Sequence, residues 1–133
     1  MNMAKDKVKY VDGFVLVVPK KKVAEYRKMA QDGGKLWMKH GALGYKESVG
    51  DDLNPDMGGF PVLTFSKLAK VKSGETVWFS YIEYKSKKHR DEVNKKVMKE
   101  MEKQNKDDSG HMDKMPFDMK QMAYGGFKVE VSD

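Results

Sequence analysis

An α+β fold, in which a four-stranded antiparallel sheet carries two helices on one face, is predicted by three observations. Phe14 to Val18 is apolar at five consecutive positions, too short a run to span a membrane and rich in Val as strands are. Thr76 to Tyr84 is dense in β-branched and aromatic residues. Two segments, Lys20 to His40 and Ser86 to Gln104, place apolar residues at helical spacing.

In chain order, the first strand runs from Tyr10 to Pro19, where the missing N–H of proline ends the pairing. Phe14, Leu16 and Val18 point to one face, with Tyr10 and Asp12, and Val15 and Val17 point to the other. The first helix sets Val23, Tyr26, Ala30, Gly33, Gly34 and Trp37 on one side and leaves lysines and acids for water. The glycine pair costs about 1 kcal/mol per residue in helix propensity, acceptable where a neighbouring backbone or a bulky side chain needs the space. Gly41 stands where a left-handed C-terminal cap belongs. Leu43 to Val49 reads as the second strand, and Gly50 to Gly59 as a loop. Phe60 to Val71, interrupted by Pro61, fits either a short edge strand or one irregular turn. In the third strand Val77, Phe79, Tyr81 and Glu83 share one face, and Trp78, Ser80, Ile82 and Tyr84 the other. Ser86 is a good N-cap for the second helix, with Val93, Val97 and Met101 on its buried side. Ala123 to Val131 closes the chain as a strand with Phe127, Val129 and Val131 inward.

Two β-α-β units in succession make a ferredoxin-like β-α-β-β-α-β layer. Two helices cover one face of such a sheet, yet the first and third strands are apolar on both. The simplest cover for the second face is a second copy of the sheet, which predicts a homodimer packed through the sheet faces.

The chain has 133 residues, one domain by length (1–133, with 1–7 a loose tail), and a formal charge of +6. Its basic residues are mostly dispersed lysines interleaved with acids, as on solvated helix faces, so no nucleic-acid partner is expected. Tyr124-Gly-Gly-Phe resembles the aromatic signature of RNA-recognition domains but lies in the last strand, where that signature does not belong. The absence of cysteine excludes disulfides and thiol chemistry. With a poor signal peptide and no membrane span, the expected location is cytoplasmic.

Several segments together resemble one family. They are Tyr10-Val-Asp-Gly-Phe-Val, Trp37 to Tyr45 with His40-Gly-Ala-Leu, Glu75-Thr-Val-Trp-Phe-Ser-Tyr, Val93-Asn94 to Met98, Met115-Pro-Phe-Asp, and Tyr124-Gly-Gly-Phe. In this order they resemble the YbaA-like family of small bacterial proteins of unknown function, which belongs to the dimeric α/β barrels. The resemblance implies that barrel fold and the dimer. It implies no reaction, because a shared fold at superfamily distance does not fix function.

Chemistry is expected in a cleft between the sheet and its helices. Tyr26, Trp37, Tyr45, Trp78 and Tyr81 are candidate ligand-binding residues there, although such aromatics also serve as plain core. His40, set beside apolar bulk, is the candidate acid–base group with Asp118 or a tyrosine as its partner; the structural alternatives are that His40 and Asp118 act as caps. Glu47 and Glu83, if inward, are expected to find Lys or Arg partners. No metal is expected: Asn105, Asp107, Ser109 and Gly110 imitate the start of an EF-hand loop, but Pro116 stands where the bidentate Glu belongs. No cofactor is expected. The function read from the sequence is binding of a small, partly apolar molecule. Its alternatives are a cofactor-independent enzyme of the oxygenase or isomerase kind using His40, and a purely structural dimer.

Overall fold

Strand β1 (Tyr10–Pro19) lies at the centre of the sheet, flanked by β3 (Glu75–Tyr84) and β4 (Ala123–Lys128); β2 (Gly44–Val49) pairs with the far side of β3. The computed structural model describes residues 8–104 and 115–133. All three pairings are antiparallel, and the order β2-β3-β1-β4 is consistent with a ferredoxin-like layer. β1 and β3 match over their whole length, from Tyr10 opposite Tyr84 to Pro19 opposite Glu75. The strands apolar on both sides thus occupy the middle, where both faces can be covered. The expectations for 1–7 and for the EF-hand-like segment fall on residues outside those described.

Helix α1 (Val23–Lys39) follows β1 after one 3-10 turn, Lys20–Lys22. Its Tyr26 and Ala30 pack on Leu16, Val18 and Trp78 and form one core cluster. It ends at His40 with a Schellman arrangement: the Ala42 N–H donates to the Trp37 carbonyl and the Gly41 N–H to that of Met38. Gly41 supplies the positive φ, +110°, that this cap requires. Helix α2 (Lys87–Gln104) places Val93 and Val97 against Ile82, Tyr84 and Ala42, forming a second cluster. Both clusters lie on the face of the sheet that carries the even-numbered residues of β1 and β3. No helix among the described residues is long and apolar enough to cross a membrane.

Of the two forms open to residues 60–71 the structure has the turn: Thr64 caps a single helical turn, Phe65–Leu68, by accepting from the Lys67 N–H. One expectation is corrected. The last strand ends at Lys128 because its partner β1 begins at Tyr10, and only Val129 reaches one further backbone bond, to Lys9. Phe127 therefore does not face the helix-covered core. It stands opposite Val11 on the other face and is 63% exposed, while Val131 is 81% exposed.

That other face is apolar and partly open in the single chain: Val17 and Val77 are buried, but the stretch around Phe79 is not. Phe79 is 45% exposed, with Phe65 packed edge-on against it at 6.1 Å.

The start of α2 is closed reciprocally. Ser86 Oγ accepts from the His89 N–H and His89 Nδ1 accepts from the Lys85 N–H, both at 3.0 Å. Burial, and then the Lys85 charge, hold the His89 imidazole below its ordinary value of 6.5. Between that lowered value and 6.5 the unfolded chain binds the proton more readily than the fold does. Stability from His89 is therefore complete above pH 6.5 and is lost as pH falls through the window. Thermal melts of wild type and His89→Gln should show a steeper decline in Tm between pH 7 and 5 for wild type; parallel curves would refute this.

Candidate functional site

The pleat and register set the floor of the site. On the helix-facing side of the sheet, Glu47, Ser80, Phe14 and Tyr124 form one transverse row, drawn from β2, β3, β1 and β4. The next row holds Tyr45, Ile82, Asp12 and Gly126. Above this floor the two helices attach at separate core clusters and leave a cavity of about 850 Å³ between them. Its walls are mostly apolar: Met29, Ala30, Leu36 and Trp37 from α1, Met98 and Met101 from α2, and Phe117 and Met122 from the approach to β4.

Three polar groupings interrupt the apolar lining. In the first, Glu47 receives a hydroxyl hydrogen on each oxygen, from Tyr26 and from Tyr45, both at 2.8 Å. Burial, reinforced by the adjacent Glu47 charge, pushes both phenols far above their ordinary range, so they remain donors. In the second, the buried Asp12 accepts from Arg90 Nη1 at 2.7 Å and from the Tyr124 hydroxyl at 3.1 Å. Burial raises the Asp12 carboxyl, and the charge and hydrogen bond of Arg90 oppose that rise. The guanidinium also lies 5.2 Å from the ring centre of Tyr10. In the third, Asn94 accepts from Trp37 Nε1 at 3.1 Å and from the Tyr84 hydroxyl at 3.4 Å. At the rim, Glu100 joins the helices by accepting from Lys39 at 2.9 Å and by bonding His40 Nε2 at 2.7 Å. Those two hydrogen bonds lower the Glu100 carboxyl.

Of the residues expected in the cleft, Tyr26, Trp37 and Tyr45 line the cavity together. Trp78 stands behind them, edge-on to Tyr26 at 4.9 Å, and supports the wall. Tyr81 lies on the opposite face, 6.2 Å from Phe79, because odd and even residues alternate along β3. His40 occupies the end of α1 with its ring bound to Glu100. Asp118 caps the 3-10 turn Met119–Gln121 through the Lys120 N–H and borders a separate small cleft. Among the described residues no hydrogen bond joins His40 to Asp118. Glu47 finds tyrosines where a cationic partner was expected. Arg90 was not anticipated from the sequence; Asp12 was expected only on the face of Phe14, and Asn94 and Tyr124 only within family-like segments, none with a role in the site. The available signals were an acid on the apolar face of β1 and one of only two arginines in a lysine-rich chain. Among the described residues no three His, Asp or Glu side chains converge as a metal site.

Comparison with known proteins gives a family and adds no reaction. Residues 9–119 match a family described as "Protein of unknown function (DUF1428)", and the chain belongs to that family. It is 41% identical over 126 residues to the "Uncharacterized protein YbaA" of Escherichia coli K12, an alignment that covers 95% of this chain and all of the relative. The same identity and coverage hold for the YbaA protein of Shigella flexneri.

The glycine pair in α1 shapes the site. A Cβ on Gly34 would lie 2.9 Å from the Tyr45 ring, and one on Gly33 3.2 Å from the Tyr45 hydroxyl. The helix thus gives up propensity so that Tyr45 can reach Glu47. Gly34→Ala should lower Tm: overpacking costs about 1–3 kcal/mol, against a propensity gain of about 1 kcal/mol. In a Tyr45→Ala background the same substitution should become stabilising. A double-mutant cycle by chemical denaturation measures the change of sign, and additive effects would refute it.

Proposed function

We propose that this protein binds a small, largely apolar molecule in the cavity between the sheet and the two helices. The cavity itself carries the reading. About 850 Å³ lies within the range of small-molecule sites, and an apolar lining with a few fixed polar groups is their usual composition. A purely structural dimer would be expected to fill this space with side chains. Catalysis through His40 has less support, because its Nε2 is engaged by Glu100 at the rim. The binding form is a homodimer in the cytoplasm. Exposed Phe79 and Phe127 on the outer sheet face favour cover by a second copy, and a cysteine-free chain suits a reducing compartment.

Native mass spectrometry of gently desalted protein should show an adduct of a few hundred daltons that is lost on denaturation. A bare-chain mass, together with unchanged tryptophan emission across a panel of apolar compounds, would sink the binding reading. Light scattering should give twice the 15.2 kDa chain mass for wild type, and Phe79→Lys should shift the protein to monomer. A wild-type monomer at micromolar concentration would refute the dimer.

A further inference from the structure

The charges around the cavity are not balanced alike. Asp12 is matched by Arg90 at 2.7 Å, and Glu100 by Lys39 at 2.9 Å. Asp32, at the outer edge, pairs with Lys28 at 3.1 Å. Glu47 differs. Among the described residues no lysine, arginine or histidine nitrogen lies within ion-pair distance of it, and its bonds are to two neutral phenols.

Both phenols direct their hydrogens at the carboxylate, so the Glu47 oxygens stand as acceptors. The unused lone pairs of Glu47 and of the two phenolic oxygens all call for donors. The rings of Tyr45 and Trp37, with centres 6.4 Å apart, line the same cavity and offer π faces that attract positive charge. An anionic ligand would meet Glu47 with no cation within ion-pair distance of that carboxylate; the lysines that also line the cavity, Lys35 and Lys39, belong to α1, and Lys39 is bound to Glu100. A neutral hydroxyl could satisfy one acceptor but would leave the charge uncompensated in a mainly apolar space.

From this arrangement we infer that the ligand is a hydrophobic primary amine, bound as its ammonium. Its charged end sits against Glu47, Tyr26 and Tyr45, and its apolar body extends along Met29, Leu36 and Met101. The inference rests on the proposal that the cavity binds a small molecule, and it supplies the chemical class. An ammonium can give each of its three hydrogens to an acceptor in this cluster, as charge-assisted bonds.

The test uses the full-length protein and three probes of matched shape: 2-(1-naphthyl)ethylamine, 2-(1-naphthyl)ethanol and 1-naphthylacetate. Isothermal titration at pH 7 should show the amine binding at least tenfold more tightly than the alcohol, with the carboxylate weakest. Glu47→Gln should bring the amine to the level of the alcohol and leave the alcohol within about twofold, since a single charged acceptor is removed. Equal or tighter binding of the alcohol or carboxylate by wild type would overturn the amine assignment while leaving a binding cavity in place. Failure of all three probes to bind would overturn both. The wild-type comparison needs no variant. Should Glu47→Gln fail to fold, Tyr45→Phe, which removes one donor and one acceptor from the cluster, should reduce amine binding more than alcohol binding; equal reductions would count against the assignment.

Discussion

The ten-residue antiparallel match between β1 and β3 is the constraint on which the other elements depend. Backbone hydrogen bonds fix these strands side by side, and the alternation of side chains then distributes every residue between two faces. A slip of β3 by one residue against β1 would send Ser80 to the opposite face and bring Phe79 and Tyr81 under the helices. With the register as it is, Leu16, Val18, Trp78, Ile82 and Tyr84 meet α1 and α2. The apolar residues of odd number are left for the outer face.

The cavity follows from how the helices settle on that face. α1 anchors through Tyr26 and Ala30 near the Pro19 end of β1, and α2 anchors through Val93 and Val97 near the opposite end. The core is therefore two clusters with a gap between them. Long unbranched methionine side chains line much of that gap and can adapt to ligands of different shape. The polar groups in it are internally bonded. The described residues hold no fully buried side-chain nitrogen or oxygen without a partner. The two carboxylates on the floor differ in their neutralisation: Asp12 by a guanidinium, Glu47 by hydrogen bonds alone.

Much of the fold was legible because its signals are local. Apolar runs, helical spacing, the Ser86 cap and the Gly41 cap each depend on a handful of neighbouring residues, and each appears in the structure. The Gly33-Gly34 pair was legible as a demand for space, but the claimant, Tyr45, was not. The segment around Phe60 left strand and turn open because Pro61 and scattered aromatics carry no clear period. The end of β4 was drawn too long because a strand ends where its partner does, which the segment's own residues do not record.

The site was legible only in its aromatics. Tyr26 and Glu47 are 21 residues apart, Asp12 and Arg90 are 78, and Asp12 and Tyr124 are 112. No periodicity reaches across such separations; the helical crossovers and the strand register bring these groups together. By itself the sequence determined the elements, their amphipathic faces and the need for cover on both sides of the sheet, since these follow from side-chain spacing along the backbone. The tertiary structure alone decided which acid would be paired with a cation and which would face a cavity with only tyrosines beside it. Charge compensation is a matter of distance in space, and that distance exists only once the sheet is formed and the helices are laid upon it.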